Sequence, residues 1–111
     1  ALLPKFRLPF LPENKTYRCF QVKGDSMLPV AENSWVTCSY VDNWENIKDG
    51  KAYVVVTKSE GIVFKLIYSK LYKSELQLVS TNRSYAPYKV HISQVIEIWQ
   101  FETLNSFEIN A

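Results

Sequence analysis

The chain has 111 residues, a net charge of +2, and 47% hydrophobic against 22% charged residues, a composition that fits one domain with a modest core and excludes disorder. A charge so close to neutral gives no ground for a nucleic-acid surface, and two cysteines with one histidine fall short of the four ligands of a closed structural zinc site. Cys19 and Cys38 also make no disulfide framework of the secreted kind, so two reduced, partly buried thiols in a cytoplasmic protein are expected.

Residues 1–14 are apolar but broken by Pro4, Pro9 and Pro12. That punctuation suits an extended arm or linker rather than a helix or signal peptide. The first residue is Ala rather than Met, so the chain is expected to be a piece of a longer protein, its domain running over 15–111. No apolar run reaches the length of a membrane span.

Tyr17 to Val22 alternates as a strand and enters Lys23-Gly24-Asp25-Ser26-Met27-Leu28-Pro29, which must turn because Gly24 and Pro29 bracket it. Trp35 to Val41 reads as a second strand, and Asn43 to Gly50 as a polar connection ending in the turn signal Asp49-Gly50. Lys51 to Thr57 and Ile62 to Tyr68 are strongly β-prone and flank Lys58-Ser59-Glu60-Gly61, the pattern of a hairpin. Leu76 to Ser80 and Val95 to Phe101 read as further strands, with an ordered loop over Asn82 to Pro87. No segment shows a sustained helical period. The expected fold is mostly β: a small twisted sheet folded over as a half-barrel.

Two residues stand out chemically. Lys65 is a lone charge among Ile62, Val63, Phe64, Leu66 and Ile67. Alternation sets Val63, Lys65 and Ile67 on one face of that strand. Such a lysine is ordinarily solvated, its stem covering apolar surface. If buried, its pKa falls, and the neutral amine becomes a usable general base. Ser26, in its turn, reads by itself as ordinary turn chemistry; beside a base it is a nucleophile. The lone His91 has no local relation to it.

The order of these features changes their weight. Gly24-Asp25-Ser26-Met27-Leu28-Pro29, then Ile47-Lys48-Asp49-Gly50 entering a strand, then Gly61-Ile62-Val63-Phe64-Lys65-Leu66 resembles the S24 peptidases. This is the self-cleaving family of the LexA repressor, phage repressors and UmuD, which shares its Ser–Lys site with signal peptidases. Asn82-Arg83-Ser84-Tyr85-Ala86-Pro87 is similar to the family's Asn-x-x-Tyr-x-Pro segment, and Val95 to Trp99 to its closing strand, so the resemblance covers about residues 17–101.

The resemblance implies the LexA C-terminal, signal-peptidase-like fold, with Ser26 as nucleophile and Lys65 as its general base. It implies that the backbone N–H groups of Asp25 and Ser26 hold the oxyanion. Gly24, Met27 and Pro29 support the turn, Met27 packing under the site. No metal or cofactor is implied. The implied setting is a repressor-like transcription regulator whose missing N-terminal helix-turn-helix domain binds DNA. The present domain would supply homodimerisation and cleave its own interdomain linker, with a RecA-type filament as a candidate partner and no membrane role.

Two departures temper this. Cleaving members often carry a threonine two residues before the lysine, and here that place is Val63. The glycines follow Lys23, Asp49 and Glu60, so the Ala-Gly or Cys-Gly bond at which relatives cut themselves is not in the chain. A non-cleaving dimerisation or sensing module of the same fold is the alternative. A barrel that stacks single-stranded nucleic acid on its aromatics is a third reading, set against those aromatics being core.

Overall fold

Why the strands form is plain from their composition: the β-branched and aromatic runs identified above pair into one antiparallel sheet. The computed structural model describes residues 15–69 and 74–105; the arm expected over 1–14 lies outside them. The strands are β1 (Tyr17–Gln21), β2 (Trp35–Tyr40), β3 (Lys51–Thr57), β4 (Gly61–Tyr68), β5 (Glu75–Val79), β6 (Tyr88–His91) and β7 (Val95–Asn105). Their order across the sheet is β1-β2-β7-β3-β4-β5-β6. Three elements differ from expectation. β6 is a strand that the short Tyr88-Lys89-Val90-His91 run signals too weakly to stand out, because it is stabilised by pairing with β5. Three-residue 3-10 turns also form at Trp44–Asn46 and Ile92–Gln94, too short for any periodicity to announce them.

The expected hairpin is present: β3 and β4 pair from Lys51↔Ile67 to Thr57↔Gly61. Gly61 closes it at φ +74°, a left-handed conformation that glycine adopts at little steric penalty. β7 is the organising strand. Its first half pairs with β3 and its second with β2, with register shifts at Val56/Thr57 and Thr37/Cys38 of the kind that bend a sheet.

Because the sheet curls, both faces are covered. Tyr53, Val55, Ile67, Leu76, Leu78 and Ile98 pack on one face; Phe20, Val22, Val36, Val54 and Trp99 pack on the other. This explains why Tyr53 to Val56 is continuously apolar rather than alternating. Each fully buried side chain of this size contributes about 1.5–3 kcal/mol of transfer free energy. Several aromatics serve the core: Phe20 and Trp99 meet edge-on at 5.5 Å, and Phe64 and Phe101 at 5.7 Å. That placement argues against a nucleic-acid stacking platform. Cys19 and Cys38 are buried and free.

One detail of pairing positions the site. β4 pairs with β3 along its length, but with β5 only through Leu66, Ile67 and Tyr68. Among the described residues, the outer edge of β4 from Gly61 to Lys65 therefore has no strand beside it.

Candidate active site

Ser26 is carried by the turn that leaves β1. Gly24 enters it at φ +72°, and the turn is closed by Val30 N–H donating to the Met27 carbonyl at 2.9 Å. Met27 is buried, while Leu28 and Pro29 are exposed. The return to β2 passes through Asn33 at φ +71°, a left-handed position that asparagine tolerates better than most residues.

The segment after β5 grips the turn. Asn82 N–H donates to the Ser26 carbonyl at 2.9 Å, Asn82 Nδ2 to the Asp25 carbonyl at 3.0 Å, and Thr81 Oγ1 to the Leu28 carbonyl at 2.6 Å. Tyr85 adds a short hydrogen bond from its hydroxyl to the Asp25 carboxylate. Holding the Asp25 carbonyl against Asn82 has a consequence for the peptide that follows. In a trans peptide the C=O and N–H point oppositely, so the Ser26 N–H is turned away from Asn82. No hydrogen bond among the described residues engages the N–H of Asp25 or Ser26.

Lys65 lies opposite Tyr53 on β4 and is only 8% exposed, so it is not the solvated surface lysine its type ordinarily gives. Its Nζ donates to Ser26 Oγ at 2.8 Å and to Ser80 Oγ at 2.8 Å. The Tyr85 ring centroid stands 5.5 Å from the same nitrogen. No carboxylate lies within ion-pair distance of it among the described residues. Burial pushes the Lys65 pKa below the usual lysine range, and the charge of Glu60 opposes that only in part.

The structure thus brings together Ser26 and Lys65, 39 residues apart, with Gly24, Asp25 and Met27 around the serine. It adds Ser80, to which the sequence reading gave no role. A signal was available: alternation along Leu76, Leu78 and Ser80 puts a hydroxyl on the buried face of β5 and its continuation. Val63 packs against the core on the Lys65 face and offers no hydrogen bond. Ser80 instead supplies a hydroxyl 2.8 Å from the Lys65 amine. His91 is exposed and bonds Ser93, apart from the pair.

A cleft of about 540 Å³ opens beside the pair, walled by β1 and β4 and floored by Val36 and Val54. Ser26 and Lys65 lie at the end where β1 enters the turn, with Phe20, Val22 and Phe64 along the walls. A family model described as Peptidase S24-like matches residues 5–100. No curated protein matches the chain significantly.

Proposed function

The chain belongs to the S24-like peptidase family, and from that premise we propose that it cleaves peptide bonds with Ser26 as nucleophile and Lys65 as general base. The observation that carries this reading is the 2.8 Å contact between Ser26 Oγ and the buried Lys65 Nζ. A lysine held in water would be protonated at neutral pH and unable to accept a proton; desolvation lowers that obstacle.

In the proposed sequence, the neutral amine accepts the Ser26 proton as Oγ attacks the substrate carbonyl carbon. The N–H groups of Asp25 and Ser26 receive the developing oxyanion, in keeping with their freedom from internal hydrogen bonds. The Lys65 ammonium then protonates the leaving amine as the C–N bond breaks, and the same amine activates water to release the acyl-serine. Ser80 holds Nζ on line through both steps. The free outer edge of β4 suits an extended substrate, which would add to the sheet by backbone hydrogen bonds and present its carbonyl to Ser26.

The biological setting follows family habit: a homodimeric, cytoplasmic, repressor-like regulator, bound to DNA through an N-terminal helix-turn-helix domain and inactivated by cutting its own interdomain linker, with a RecA-type filament as trigger. A non-cleaving module is the rival, and Ser80 weighs against it by replacing the hydroxyl that Val63 lacks. Incubating the chain together with its natural upstream sequence at pH 7–11 separates the two. Fragments that disappear in both Ser26→Ala and Lys65→Ala support cleavage; a chain that stays intact throughout rules out self-cleavage.

A further inference from the structure

Apart from Lys65, whose amine is committed to Ser26 and Ser80, the cleft is lined by two cations, Arg18 and Lys23, and among its described residues by no carboxylate. Arg18 is the more constrained. Its guanidinium lies 4.8 Å from the Trp99 ring centroid and 5.9 Å from that of Phe20, a stacked arrangement that suits arginine's planar head. Stacking fixes the group without using its N–H donors. Nε is buried with no partner, and the Arg18 side chain makes no hydrogen bond within the described residues. Its ion-pair partner among the described residues, Glu97, is held loosely: Oε1 stands 3.9 Å from Nη1, beyond hydrogen-bond distance, and already accepts from Trp99 Nε1 at 3.0 Å. Lys23 is exposed and makes one long contact with Gln21.

We infer that Arg18 is a specificity-determining residue, which takes a side-chain carboxylate from the segment lying in the cleft, so that the preferred substrates are acidic extended peptides. This inference rests on the peptidase reading of the site. A guanidinium whose donors are unspent matches a carboxylate in shape as well as charge. Its position along β1 sets the spacing. Arg18 precedes Val22, at the reacting end, by four residues, or about 13 Å at ~3.3 Å per residue. An extended substrate covers the same span, which places its Asp or Glu about three to five residues from the cleaved bond.

The test uses the Ser26→Ala chain, so that binding is read without cleavage. Fluorescein-labelled octapeptides of Ala, Val and Thr carry one Glu, Gln or Lys, moved through each position, and affinity is measured by fluorescence anisotropy. The Glu peptide should bind about tenfold tighter than its Gln counterpart at one position or two adjacent ones, with Lys weakest. Adding Arg18→Gln should abolish the Glu preference. Equal binding of Glu and Gln peptides at every position overturns the inference and leaves the peptidase reading standing, as does a preference that survives Arg18→Gln. Failure of every peptide to bind, whatever its charge, overturns the peptide cleft itself and this inference with it. The comparison between peptides needs no change at Arg18, so it holds even where that variant folds poorly.

Discussion

Replacing Ser80 by alanine removes one of the two hydroxyls, each 2.8 Å away, that hold the Lys65 amine. Lys65 is only 8% exposed, so water has little room to take the vacated place. An unmade hydrogen bond at such a buried group costs about 1–3 kcal/mol, and at ~1.4 kcal/mol per factor of ten this corresponds to a rate loss of about 5- to 150-fold. The direct assay is the rate at which a fluorophosphonate labels Ser26, followed by intact mass from pH 6 to 11, with Ser26→Ala as blank. The Ser80 hydroxyl accepts from the ammonium and so favours the charged form. Ser80→Ala should therefore lower the plateau rate and also shift the midpoint of the profile to lower pH. Ser80→Thr, which keeps a hydroxyl, should recover most of the rate. An unchanged plateau and midpoint in Ser80→Ala, with unaltered urea unfolding, would refute the assignment of Ser80 as the group that positions Lys65.

Labelling of the unaltered chain should rise with pH to a plateau, with a midpoint below the usual lysine range, because burial lowers the Lys65 pKa; a rate independent of pH would exclude Lys65 as the base. The sign for stability follows: the unfolded chain holds this proton more tightly than the folded one, so stability rises as pH climbs from the lowered pKa to the ordinary value. The urea midpoint of Lys65→Met should accordingly exceed that of the unaltered chain most at neutral pH, the gap closing toward pH 11. Tyr85 ionises above the usual tyrosine range, first through its hydrogen bond to the Asp25 carboxylate and then through that group's charge. Asp25→Asn should bring the Tyr85 component of an ultraviolet titration, identified against Tyr85→Phe, back toward the ordinary value; no movement would break the assigned contact. Ile98→Ala, at a fully buried position, should destabilise the fold by about 2–5 kcal/mol in urea unfolding, whereas Ile96→Ala on the exposed side of the same strand should change it little.

How much of this was legible beforehand depends on the range of the interaction. The β3–β4 hairpin is a local event: two β-prone runs and a Gly61 turn define it within eighteen residues of sequence, and the register follows from the turn. The insertion of β7 between β2 and β3 is not local. Val95 to Phe101 reads as a strand, but nothing in its own residues says which neighbours it takes or that pairing with β2 extends it to Asn105. β6 went unread for the same reason, being four residues whose stability comes from β5.

For the site, the sequence by itself determined the two candidate side chains and their frame: a turn that carries Ser26, an apolar strand that carries Lys65, and an order of motifs that ties one to the other. Whether Lys65 sits in water or out of it was decided by tertiary structure alone. Its burial is made by groups from the Ser26 turn, β4 and the end of β5, no two of which are neighbours in the chain. The same packing chose Ser80 over Val63 as the amine's second partner and stacked Arg18 on Trp99 at the far end of the cleft. Sequence order supplies the functional groups. Desolvation, which sets whether a lysine can serve as a base, depends on what the rest of the chain excludes from around it.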